Sequence, residues 1–179
     1  MTPSDNLLTI SAIGKPSGNV PLELFKAIRE RGGEIDDCRI SQIGDRLAAN
    51  MLVSGNWSTL GRLETAMPGV AEKLGLTIRM ERSEPRPTMP EFRPYGAEVI
   101  APQDPNLLVN ILEFYQHQEV RVVEISSQRY QSSYTGAGMM TIQMVLHVPV
   151  NHHPQALRES FMDLCDDLNA DGLLDPIKT

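Results

Sequence analysis

The residues of this chain that could do chemistry are few and scattered. The run Asp167 to Gly172 (DLNADG) opens like a calcium loop, with oxygen donors at its first, third and fifth positions and a glycine at the sixth. The twelfth position of such a loop supplies a bidentate Glu; here it is Lys178, so the run reads as a helix C-terminus stopped by a polar turn at Gly172. His152 and His153 are neighbours with no Cys or acid at ligand spacing, and they read as loop residues. His147 falls on the outward parity of an alternating strand. Cys38 and Cys165 have no adjacent His or Lys to activate a thiolate, and the expectation is two buried, inert thiols. Asp36 and Asp37 cannot work as an acid–base pair, because neighbours on a strand point to opposite faces. Gly136-Ala137-Gly138 lacks the third glycine and the strand-to-helix setting of a dinucleotide loop. Trp57, after Gly55-Asn56, reads as an anchor where a helix begins. No catalytic set, no metal site and no cofactor site is read from these residues.

The elements that must position any site come from patterning. Leu7 to Ile13 is an apolar strand, Gly14 to Asn19 a loop, and Pro21 to Arg31 a helix with Leu22, Leu24, Phe25 and Ile28 inward. Glu34 to Ile43 and Arg46 to Ser54 form a hairpin about Gly44-Asp45. A helix from Thr59 carries Leu60, Leu63, Met67, Val70 and Leu74 on one stripe, with Pro68 expected to kink it, and Leu76 to Arg82 is a last strand. The second half repeats the order. It predicts strands at Ala97–Ala101, Val120–Tyr130, Met139–Val148 and Leu173–Lys178, and helices at Leu107–Gln118 and Pro154–Leu168. In Met139–Val148, Met140, Ile142, Met144, Leu146 and Val148 alternate strictly, so one face is buried.

Between the halves, Ser83 to Tyr95 (SEPRPTMPEFRPY) holds four prolines and no periodicity, and reads as extended linker. The expected organisation is therefore a domain over 1–82, a linker over 83–95 and a domain over 96–179. Both halves read βαββαβ, the ferredoxin-like order. A constant offset of 87 positions carries Asn19 onto Asn106, Ile35 onto Val122 and Asp37 onto Glu124, which points to an internal duplication. The fold class is α+β: two ferredoxin-like domains in tandem, each an antiparallel sheet with helices on one face.

Composition narrows the function classes. The 179 residues are 41% hydrophobic and 22% charged, as in a folded globular chain. The net charge of -7, from 16 basic and 23 acidic residues, is opposite to the basic footprint of a nucleic-acid binder, and no helix-turn-helix is visible. No apolar run is long enough for a membrane span, the N-terminal residues have no signal-peptide pattern, and two cysteines suit a reducing compartment, so the expected localisation is cytoplasmic.

The duplicated unit resembles a tandem of ACT domains, the small-molecule sensor modules of amino-acid metabolism. Through the segments LLTISAIG, GGEIDDCRIS, NMLVSGNW, LGLTIRMERSEPRP and LCDDLNADG, nearly the whole chain resembles the glycine cleavage system transcriptional repressor family. The resemblance implies a non-enzymatic regulator that binds glycine or another small amino acid at the interface of two ACT units. It also implies repression through a DNA-binding activator protein rather than through DNA, with a homodimer as a further possibility. The ligand-binding positions it implies are Gly14, Ser17, Gly18, Asn19 and Val20 in the first loop and Gln103, Asp104, Asn106 and Leu107 in the second. A helix N-terminus there would offer free N–H groups to a carboxylate. The family pattern Gly-x-Asp-x-x-Gly is altered: Pro16 replaces the acid and Asn19 the second glycine, while the second loop has Ala101, Gln103 and Asn106 at those places, with Asp104 one position on. A ligand-free ACT scaffold is therefore the alternative. An acylphosphatase-like hydrolase is the third reading, and the first loop supplies Lys15 but no Arg to hold a phosphate.

Overall fold

A computed structural model describes residues 6–85 and 91–177. The chain divides into two compact units, the boundary falling between residues 87 and 88. The first unit runs β1 (Asn6–Gly14), α1 (Val20–Glu30), β2 (Glu34–Ile43), β3 (Arg46–Gly55), α2 (Trp57–Lys73) and β4 (Leu76–Ser83). The second runs β5 (Phe92–Pro102), α3 (Leu107–His117), β6 (Arg121–Gln131), β7 (Gly138–Pro149), α4 (Pro154–Asp167) and β8 (Asp171–Pro176). The sheet orders β2-β3-β1-β4 and β6-β7-β5-β8 match, and every pairing is antiparallel.

Alternation places each core on one face of its sheet. In the first unit Leu8, Ile10, Met51 and Val53 face Leu24 and Ile28 of α1 and Leu60, Leu63 and Met67 of α2, all essentially buried. In the second unit Val99, Ile142 and Leu146 meet Ile111, Tyr115 and Phe161. Each such side chain removed from water contributes about 2 kcal/mol, so each unit carries its own apolar driving force. The duplication extends to an irregularity. Strand pairing slips between Ile35 and Asp37 in the first unit and between Val122 and Glu124 in the second, a β-bulge at matching positions.

The structure corrects four expectations. Helix α2 passes through Pro68 without splitting; Pro68 lies on the exposed side, where water can satisfy the carbonyl left by its missing N–H. β5 begins at Phe92, so the end of the proline-rich run is strand rather than linker. Pro94 fits there because its carbonyl accepts from Ile177 N–H at 2.9 Å, which puts its donor-less nitrogen on the side where β8 is ending. Pro87 and Pro90 lie outside the described residues. Cys38 is exposed rather than buried, because β2 is an edge strand on which the core reaches only Ile35 and Ile40. Gly172 does not make the turn after α4: Asn169 does, at φ 50°. Gly172 instead lies in β8, where a Cβ would come within 2.9 Å of the Phe161 ring and collide with the Cys165 thiol.

Candidate functional site

The first loop leaves the centre of its sheet and turns into a helix. Gly14 ends β1 packed so closely on the backbone of Gly75 and Leu76 that a Cβ would clash, and Ser17 N–H donates to Leu74 O at 3.1 Å. The loop is thus pinned to the turn between α2 and β4. Gly18 takes φ 76° with open space around it, and Asn19 caps α1 by accepting from Leu22 N–H at 3.4 Å. Val20 is buried as the first residue of α1, followed by Pro21. Lys15 points to solvent, 4.0 Å from Asp45.

The second loop reaches the same place by different contacts. Gln103 N–H donates to Gly138 O at 2.9 Å, tying the loop to the start of β7. Asp104, not Asn106, makes the side-chain bond: its Oδ1 accepts from Asn106 N–H at 2.7 Å. Asn106 has helical backbone angles and its side chain makes no cap bond, while Leu107 is buried behind it. The two asparagines hold matching places in the fold with unlike roles. One is engaged by its helix; the other leaves its amide available, and Asp104 keeps a second carboxylate oxygen that no cap bond uses.

Each unit thus brings its own sequence-predicted residues into one short strand-to-helix turn. The remaining chemistry-capable residues are placed elsewhere. His152 Nε2 donates to Gln118 O at 2.6 Å, fastening the segment before α4 to the end of α3, and His153 precedes that helix. His147 sits on the sheet face away from the core, its ring centroid 6.2 Å from that of Phe92. Asp36 and Asp37 part company: Asp36 accepts from Ser54 Oγ at 2.8 Å and Asp37 pairs with Arg39. Among the described residues no three His, Cys, Asp or Glu side chains gather as a metal would need, and no helix is long and apolar enough to cross a membrane.

Sequence reasoning missed the setting of Trp57. It does not anchor into the core but stands 71% exposed at the start of α2. The Arg82 guanidinium lies 4.5 Å from its ring centroid and is itself held by two bonds to Glu64, at 2.7 and 2.8 Å. That bonding keeps the Glu64 carboxyl below the usual carboxylate range. The available signal was a lone tryptophan at the edge of an apolar stripe, next to a cap, Asn56, that already fixes the helix start by accepting from Thr59 N–H at 2.8 Å.

Fold and loops together define the class. The ACT domain family model matches residues 6–81, and the second unit repeats the same topology, so this is a tandem ACT-domain protein. Over nearly its whole length it is similar to glycine cleavage system transcriptional repressors. The repressor of that name from Escherichia coli (strain K12) is 24% identical over 174 residues, covering 97% of this chain and 92% of that protein. The one from Shigella flexneri matches to the same extent. The crystal structure of a candidate repressor of this kind superposes with a TM-score of 0.71 at 24% identity, over 98% of this chain and 99% of that one. A protein from Galdieria sulphuraria, of unknown role, shares the fold at a TM-score of 0.76 and 16% identity, over 97% of this chain and 99% of its own. The relationship supports a regulatory role.

Proposed function

We propose that this chain is a cytoplasmic, non-catalytic regulator that responds to glycine or another small amino acid and acts through a DNA-binding activator protein. The observation that carries the reading is the inequality of the two loops. In the second, the Asn106 side chain makes no cap bond to the N–H groups that open α3, and Asp104, one carboxylate oxygen of which holds Asn106 N–H, has the other oxygen beside them. That set suits a zwitterion: N–H groups for its carboxylate, an acid for its ammonium. The first loop has spent Asn19 on its own helix and has Pro16 in place of an acid. The ligand response is therefore assigned to the second loop. The action through a protein follows from charge, since a net -7 surface repels duplex DNA. Ligand binding would shift the balance between arrangements that the partner binds unequally.

The test is a melting series of the full chain against the twenty amino acids. A ligand at a hundredfold excess over its Kd adds about 2.7 kcal/mol. A selective rise in Tm is expected, retained in Asn19→Ala and lost in Asp104→Ala. A flat panel at high concentration would leave the ligand-free scaffold as the reading. A rise lost only in Asn19→Ala would move the site to the first loop.

A further inference from the structure

Helix α2 has an exposed outer side. Its spacing places Trp57, Gly61 and Thr65 in one row, four residues apart. Beside the row lies an open groove of about 550 Å³ lined by Arg31, Ser58, Gly61, Arg62, Thr65 and Ala66. Three features mark this side of the helix. Gly61 is in a helix interior, where glycine is disfavoured relative to alanine, yet a Cβ there would meet nothing within 4 Å. Arg62 donates to two neutral oxygens, Arg31 O at 3.1 Å and Thr59 Oγ1 at 3.2 Å, and has no carboxylate partner among the described residues. Trp57 is exposed yet held, because Arg82 lies on its ring and Glu64 fixes Arg82.

A fixed, exposed tryptophan is the side chain most often found at the energetic centre of a protein interface. Small residues beside it let a backbone approach closely, and the groove wall carries two arginines, Arg31 with Glu30 3.9 Å away and Arg62 with no carboxylate partner among the described residues. From this complementarity we infer that the row Trp57–Gly61–Thr65 with Arg31 and Arg62 is the docking surface for an acidic, amphipathic segment of a partner protein. The apolar side of that segment packs on Trp57 and Gly61 while its carboxylates meet Arg62 and Arg31. A protein segment fits better than nucleic acid, because two arginines on an acidic chain neutralise few phosphates, while Trp57 and Gly61 offer apolar contact. The inference rests on the reading that regulation runs through a protein, and supplies the surface that reading lacks.

Trp57 is the single tryptophan of the chain, so its fluorescence reports on this surface alone. The experiment titrates the full-length protein, without amino acid, with a short amphipathic peptide of Glu and Leu, and with the same pattern carrying Lys for Glu. Expected is a saturable blue shift with the acidic peptide only, weakened about tenfold by Arg62→Glu and by raised salt. Gly61→Ala is expected to melt higher than the parent yet bind the peptide more weakly, which no defect of folding could produce. Absence of a saturable change overturns the inference, as does an equal response to the basic peptide or one that Arg62→Glu leaves intact. Tighter binding of duplex DNA than of peptide overturns both this inference and the protein-mediated reading; failure of the peptide with no DNA binding overturns the inference alone. A concentration-dependent shift without peptide, abolished by Arg62→Glu, overturns it by giving the surface to a second copy of the chain.

Discussion

Tyr115 shows how a side chain can be well packed and still unsatisfied. Its ring is fully buried, stacked on Phe161 with centroids 6.1 Å apart and edge-on to Phe114 at 5.2 Å, but its hydroxyl has no hydrogen-bond partner among the described residues. Tyr115→Phe keeps the ring contacts and removes the stranded hydroxyl. It is expected to stabilise the chain by about 1 kcal/mol, read as a Tm increase of a few degrees. Burial also pushes the Tyr115 phenol up, with a smaller push from Cys165. The Cys165 thiol rises from 9.0 to about 11, through burial first and then Asp166 and Asp171. Both groups are neutral when protonated, so above pH 9 the unfolded chain releases the Cys165 proton while the folded chain retains it. The stability is complete below pH 9 and is lost as pH rises from 9.0 toward about 11. Urea midpoints should fall across that window, and Cys165→Ala should flatten the slope. At the same scale, a thiol reagent should label exposed Cys38 in the native protein and leave Cys165 untouched until unfolding.

The four helices solve one problem in the same way. Each ends by turning the chain left-handed: Gly32 after α1, Gly75 after α2, Glu119 after α3 and Asn169 after α4, with φ of 84°, 74°, 55° and 50°. The N–H that follows then bonds back into the helix, as in Gly33 to Ile28 O at 3.1 Å and Val120 to Tyr115 O at 2.9 Å. Glu119 occupies, at the duplication offset of 87, the place that Gly32 holds in the first unit, with a side chain that this geometry disfavours. Glu119→Gly is therefore expected to stabilise the chain by about 1 kcal/mol, and Gly32→Ala to destabilise it, both measurable by urea denaturation. The duplication was legible in the sequence as element order and offset. The matching bulges were not, because a bulge is a mismatch between two strands and neither strand alone announces it.

At the scale of the molecule, the two cores are separate collections of side chains, one from each unit. Residues 1–87 and 88–179, expressed as independent chains, are each expected to unfold cooperatively, as read by far-UV circular dichroism against urea. Failure of either piece to fold would show that its core is insufficient alone. The balance of charge also belongs to this scale. A net -7 is a property of the whole chain, and it coexists with a local groove bearing Arg31 and Arg62. A sum over composition excludes a broad basic face, but it cannot show where the minority charge collects.

The amino-acid sequence by itself determined the βαββαβ order twice over, the buried parity of β7, the hairpin at Gly44-Asp45 and the loops that open α1 and α3, because period and turn chemistry are local properties. Tertiary structure decided what depends on a distant partner. It set Asp104 rather than Asn106 to hold the second turn, and it left Cys38 outside the core on an edge strand. It carried a strand through Pro94, because β8 ends beside it. It also brought Arg82 of β4 onto Trp57 of α2, residues 25 positions apart in sequence that become neighbours only when strand and helix pack together. Hydrogen bonding and packing across such separations follow from the closed fold, and the pattern along the chain carries no direct record of them.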